Sequence, residues 1–237
     1  MRKLLFLVLL VLSISGAKAH ELQALRNHYT TSDGLASNAV ADIVEDRFGY
    51  IWIGTWNGLS RFDGYNFCNY PTGKNSGISN FHNRILTLTA DNMGNIWMRM
   101  YDNRIFVLNR HTDVIANAFE SIEGGDRLKT NNGYQGKTHR TASTIVKSID
   151  GNVYTYIPQK GIYRMRSVGA KPMVQFINIG KRKVYAMATD KHANLWVATD
   201  KGLTKIKPTA TKLSEDFVVN EKDIMNICCT TSNTILV

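Results

Sequence analysis

The sequence predicts an all-β fold of repeated four-stranded units, and three observations carry that prediction. The first is the stretch from Asp46 to Asp63, which reads as turn, strand, tight turn, strand. Gly49 closes the opening turn, where a glycine takes positive φ without steric cost. Ile51-Trp52-Ile53 is a continuous apolar run, as in a strand covered on both faces. Asn57-Gly58 signals a two-residue hairpin, expected as a type I′ turn because both residues tolerate positive φ. The second observation is recurrence. Asp91-Asn92-Met93-Gly94-Asn95-Ile96-Trp97 and Asp190-Lys191-His192-Ala193-Asn194-Leu195-Trp196 repeat the motif. Asp150-Gly151-Asn152-Val153-Tyr154 is a weaker copy, with Tyr154 in the tryptophan position. The third is spacing: the aromatic position recurs after 45, 57 and 42 residues. A period of about 40–45 residues with four short strands per unit is the signature of a β-propeller blade.

Taken in order, the chain opens with a secretory signal peptide expected over 1–19. Arg2 and Lys3 precede an apolar run, and Ala17-Lys18-Ala19 offers the cleavage site. The run is shorter than the roughly 20 apolar residues of a membrane span, so an uncleaved anchor is the lesser alternative. Cleavage lowers the formal charge from +10 to +7, because Arg2, Lys3 and Lys18 leave. The remaining lysines are dispersed, which describes a solvated surface in a periplasmic protein rather than a nucleic-acid binder. Residues 20–237 are then one partial propeller domain.

Tyr29-Thr30-Thr31 reads as a lone strand before a turn at Asp33-Gly34, available to complete a last blade. The first blade is expected over 38–70, with strands at 40–45, 51–55, 59–62 and 66–70; a polar connector follows over 71–82. The second, 83–119, has a looser hairpin tip at Tyr101-Asp102-Asn103. A glycine- and asparagine-rich stretch over 120–140 is a long loop of the kind that carries function. The third blade is expected over 143–178 and the fourth over 184–219, with its last strand at 217–219. A fifth starts at 224 and stops inside its own motif. The prediction is therefore four complete blades plus a truncated fifth, the N-terminal part of a longer protein.

Three cysteines, Cys68, Cys228 and Cys229, form neither a disulfide framework nor a zinc spacing. They are expected as separate buried thiols, with the vicinal pair pointing to opposite faces of a strand.

The residues Asp46-x-x-Gly49-x-Ile51-Trp52-Ile53-Gly54-Thr55-x-x-Gly58-Leu59-x-x-Phe62-Asp63, led in by Asp33-Gly34-Leu35-Ala36-Ser37-Asn38, resemble the two-component regulator propeller repeat. The resemblance spans about 28–237 and departs at Arg99 and Arg104 in the second blade and at the missing Trp of the third. It implies the periplasmic sensor region of a hybrid two-component histidine kinase of Bacteroidota. It further implies more blades, a linking β-domain, one inner-membrane span and cytoplasmic signalling domains in the parent, to which a homodimer is open. The implied ligand is an oligosaccharide.

Trp52, Trp97 and Trp196 recur at one position, which is what packing between blades requires. Trp56 and Tyr101 sit at hairpin tips, where aromatic rings suit the C–H faces of sugars. The ligand-binding candidates are Trp56, Tyr101, Arg99, Arg104 and Asp200, with Asp102 beside Tyr101. Arg99 and Arg104 admit an acidic glycan, since guanidinium pairs well with planar anions. No catalytic set, metal site or cofactor motif is expected: the six histidines are scattered, and the recurring aspartates are turn formers. A secreted propeller enzyme acting on polysaccharide, or a structural propeller, is the alternative.

Overall fold

The computed structural model describes residues 27–70, 83–101, 104–119, 145–157, 161–168, 171–212, 218–219, 224–230, 232 and 234–236. The expected signal peptide over 1–19, the connector over 71–82, the loop over 120–140 and Asp102 and Asn103 of the second tip lie outside the described residues.

Four antiparallel sheets follow one another, each in simple sequence order. The first holds β1 (Val40–Glu45), β2 (Ile51–Thr55), β3 (Gly58–Phe62) and β4 (Phe67–Tyr70). The second holds β5 (Ile85–Ala90), β6 (Ile96–Met100), β7 (Ile105–Asn109) and β8 (Val114–Asn117). The third holds β9 (Ile145–Lys147), β10 (Val153–Ile157), β11 (Gly161–Val168) and β12 (Lys171–Ile177). The fourth holds β13 (Val184–Thr189), β14 (Leu195–Thr199) and β15 (Gly202–Ile206). Of its expected fourth strand at 217–219, residue 217 lies outside the described residues and Val219 makes a single bridge to Leu203. A pair of two-residue strands, β16 (Cys228–Cys229) and β17 (Ile235–Leu236), begins a fifth unit. Among the described residues no helix is long and apolar enough to cross a membrane.

The first strands β1, β5, β9 and β13 pack side by side in succession, and the cores lie between sheets. Trp52 and Leu59 pack on Ile85, Leu88, Met98 and Phe106 of the second sheet. Trp97, Ile105 and Val107 then pack on Ile145, Val153 and Met165 of the third. Tyr154, Tyr156 and Ile162 pack on Val184, Met187 and Val197 of the fourth. Leu203 and Ala198 meet Ile224 and Ile227 of the fifth unit. Each fully buried large side chain contributes roughly 1.5–3 kcal/mol, so one aromatic at one position per repeat is a principal packing element. Gly54 allows the first contact: a Cβ there would stand 2.7 Å from Ile85.

Four expectations are corrected. Tyr29-Thr30-Thr31 is no strand. Thr31–Asp33 forms one 3-10 turn, because the Thr30 hydroxyl accepts from the Ser32 amide and the Asp33 carboxylate accepts from the Thr30 amide. This lead-in covers the outward face of the first sheet, with Tyr29 4.9 Å from Phe62 and Leu35 buried. The hairpin at Trp56-Asn57 is not type I′. Gly58 has φ 105° but Asn57 is not among the positive-φ residues. Thr55 pairs with Gly58, and the Thr55 hydroxyl accepts from the Asn57 amide, 3.0 Å, while donating to the Gly58 carbonyl, 2.8 Å. That hydroxyl clamp satisfies the tip without a left-handed Asn. The fourth sheet makes the same clamp through Thr199 and Gly202. The expected buried thiols are not buried: Cys68 and Cys228 are exposed and Cys229 is half-buried, all unpaired. Cys68 lies on the last strand of its sheet, which pairs on one side only among the described residues. Finally, the fifth unit's inner strand is expected over 224–228 but pairs only at Cys228–Cys229.

Candidate functional site

In the first, second and fourth sheets the hairpin between the second and third strands is tied to the residue before that sheet's first strand. The Trp56 amide donates to the Ala39 carbonyl, 3.0 Å, the Tyr101 amide to Arg84, 2.9 Å, and the Asp200 amide to Lys183, 3.1 Å. The three bonds prolong the same ladder at a constant separation of 17 residues. Trp56, Tyr101 and Asp200 therefore hold equivalent places on one edge of three sheets. The Gly58 amide donates to the Asn83 carbonyl, 2.9 Å, and the Asn83 side-chain amide donates to Asn57 Oδ1, 3.3 Å. These bonds fasten the first tip to the entry of the second sheet.

That fastening places Arg84 between two tips. Its guanidinium carbon lies 4.7 Å from the centre of the Trp56 ring and 5.5 Å from that of Tyr101. Trp56 is 53% exposed, and Arg84 is exposed too. The guanidinium of Arg84 makes no hydrogen bond or ion pair among the described residues. Cation–π contacts of this kind contribute about 0.5–2 kcal/mol and hold the guanidinium in place. Next to Asn57 is a cavity of about 310 Å³ whose walls include Thr31, Ala36, Asn57, Asn69, Tyr70 and Asn83.

The predicted site residues divide accordingly. Trp56 and Tyr101 are brought together through Arg84. Asp200 shares their edge two sheets away, and its Oδ1 accepts from the Lys183 amide, 2.9 Å. Arg99 is buried; by alternation it shares the Trp97 face, between the second and third sheets, and not the rim. Arg104 is half-buried, 5.9 Å from the Phe106 ring centre. Arg84 is the residue that sequence reasoning missed. The spacing of 17 from tip to entry was its only available signal. Among the described residues no group of three His, Cys, Asp or Glu is placed to hold a metal.

Behind the rim, the repeat motif explains itself. Asp46 accepts from the Phe48 and Tyr50 amides through Oδ1 and from Trp52 Nε1 through Oδ2, 2.7 Å. Asp91 repeats this with Met93, Asn95 and Trp97, and Asp190 with His192, Asn194 and Trp196. Burial pushes the Asp190 carboxyl up, but the hydrogen bonds from Asn194, Trp196 and the His192 amide outweigh it and hold its pKa below the ordinary value.

Residues 34–57 match the model of the two-component regulator propeller family. Over these residues the chain is similar to a two-component regulator propeller repeat. A stretch of 50 residues is 40% identical to Histidine kinase P4 of Formosa agariphila, covering 21% of this chain and 4% of that kinase. The fold is a β-propeller. The propeller domain of Myceliophteria thermophila Cps50 (Swd1) superposes with a TM-score of 0.51 at 9% identity, over 84% of this chain and 61% of that one. The extracellular domain of a hybrid two-component system of B. thetaiotaomicron is similar at 17% identity, with a TM-score of 0.47, over 88% of this chain and 33% of that domain. The propeller thus spans a small fraction of the kinase it matches and about a third of that extracellular domain.

Proposed function

We propose that the propeller is an extracytoplasmic sensor element of a two-component signalling receptor, and that it binds an oligosaccharide at the rim formed by Trp56, Arg84 and Tyr101. The repeat over 34–57 and the match to a histidine kinase support the signalling role. The rim reading rests on one observation: an exposed guanidinium with no acceptor among the described residues, flanked by two aromatic rings. Rings give contact area at low entropy cost, and the guanidinium offers a paired donor edge to a carboxylate or sulfate on the sugar. The polar cavity beside Asn57 supplies amides for neighbouring hydroxyls. Binding, not turnover, is the chemistry this arrangement suits. In this reading the chain is exported after loss of 1–19, faces the periplasm, and belongs to a parent anchored in the inner membrane.

Calorimetry of the purified receptor ectodomain against acidic and neutral oligosaccharides tests it. Trp56→Ala should weaken binding by about tenfold, the loss of one well-placed ring contact. Arg84→Gln should weaken acidic ligands by a similar factor and neutral ones much less. Unchanged affinity in both variants moves the site away from this rim.

A further inference from the structure

A second set of arginines stands on the flank between the first and second sheets, away from the rim. The Arg61 and Arg110 guanidiniums lie 4.9 and 5.0 Å from the centre of the Tyr50 ring, which keeps them within about 10 Å of each other. Arg110 also lies 6.0 Å from the Phe48 ring centre, and Arg47 lies 5.3 Å from the same ring. Arg61 reaches the Tyr70 and Trp52 rings as well, at 6.0 and 5.8 Å. The result is an alternation of Arg47, Phe48, Arg110, Tyr50 and Arg61 that joins both sheets.

The partners of these cations are the informative point. Arg47 donates to the Asn92 carbonyl, 2.7 Å. The Arg61 and Arg110 guanidiniums make no hydrogen bond or ion pair among the described residues, and the Arg110 Nε is buried with no acceptor among them. In the fourth sheet the matching cation, Lys205, stands over Trp196 and 4.0 Å from the Asp190 carboxylate. Among the described residues the first sheet has no such pair. Asp46 is taken up by its turn and Trp52. Asp113 accepts from the Tyr70 hydroxyl, 3.4 Å. Glu45 faces a neighbouring cleft of about 510 Å³ together with Arg47 and Lys147. Half-buried guanidiniums beside one another repel, and unpaired donors there are costly; rings offset only part of that cost. An oxyanion would satisfy both.

We propose that this flank is an oxyanion site, taking the sulfate or carboxylate groups of an acidic polysaccharide between Arg61 and Arg110, with Arg47 extending the track. The site is independent of the rim. Binding of dextran sulfate, polygalacturonate, inorganic sulfate and neutral dextran to the full chain tests it. Dextran sulfate and polygalacturonate should bind, neutral dextran should not, and raised salt should weaken binding. Arg61→Gln and Arg110→Gln should each raise Kd about tenfold, the loss of one charge-assisted pair. Arg110→Lys, which keeps the charge and loses the planar fork, should fall between wild type and Arg110→Gln. A loss in Trp56→Ala with none in Arg61→Gln or Arg110→Gln assigns polyanion binding to the rim and overturns the proposal, which separates failure here from failure at the rim. Inorganic sulfate binding as tightly as the polymers identifies a single-anion site; binding only by polymers identifies a track. Equal Kd for wild type, Arg61→Gln and Arg110→Gln overturns the proposal. So does an equal loss in Lys181→Gln, an exposed lysine of the fourth sheet's lead-in, because that loss reports diffuse charge. Melting curves matching wild type keep each comparison valid.

Discussion

The second and third sheets occupy equivalent places in the propeller and solve the same problem differently. In the second, Asp91 ties the turn amides of Met93 and Asn95 and accepts from Trp97 Nε1. In the third, the residue six before the aromatic is Ser148, and the aromatic is Tyr154. The turn still forms through the backbone, with the Ser148 amide donating to the Asn152 carbonyl, 2.8 Å. Ser148 Oγ and Tyr154 Oη, however, are both buried without a partner among the described residues. The difference teaches that the repeat needs an aromatic to fill the space between sheets, while the aspartate is a separate, removable device. It stiffens the turn and satisfies the ring's polar atom at once.

The sharpest way to break that comparison is Asp91→Ala. It strands two amides and a buried indole N–H, each worth about 1–3 kcal/mol, so destabilisation of about 3–5 kcal/mol is expected in urea denaturation. Ser148→Ala in the same assay should cost less than about 1 kcal/mol, since it removes an unsatisfied hydroxyl. Equal effects would mean that the aspartate is not the device described.

A smaller effect sharpens it at the aromatic. Trp97→Phe leaves a cavity and deprives the Asp91 carboxylate of a donor, for a cost of about 2 kcal/mol. Tyr154→Phe should lie within about 0.5 kcal/mol of wild type, or stabilise slightly. Thermal melts of both variants decide; a large loss in Tyr154→Phe would show that its hydroxyl is satisfied in solution.

The smallest effect is a pH dependence from the fourth sheet's aspartate, whose place Ser148 takes in the third. The folded pKa of Asp190 lies below its unfolded value, near 3.8. Its stabilising contribution is therefore complete above that value and is lost as pH falls through the lower folded pKa. Asp190→Asn should flatten the acid limb of a stability–pH curve while leaving the slope at neutral pH unchanged. An unchanged acid limb would place the acid-sensitive groups elsewhere.

The strand pattern, the turn glycines and the recurring Asp and Trp were legible in the chain because they are local. A strand alternates over five residues, a glycine relieves φ at its own position, and an aspartate six residues before a tryptophan serves one turn. Trp56 and Tyr101 were legible for the same reason, as tips of recognisable hairpins. Everything that depends on two repeats meeting was decided only in three dimensions. The reading of Asn57 as a left-handed residue failed because the Thr55 hydroxyl, itself buried, satisfies the tip instead. Arg99, an obvious ligand candidate by composition, is removed from the rim by the side of the strand it occupies. Arg84 reaches Trp56 only because the Gly58 amide seizes the Asn83 carbonyl across the gap between sheets. Arg61 and Arg110 stand 49 residues apart in the chain and share one ring, Tyr50. Sequence determines what each repeat is, since short-range sterics and hydrogen bonds act within a few residues. Which side chains face one another is set by the stacking of sheets, through contacts whose partners lie one whole repeat away.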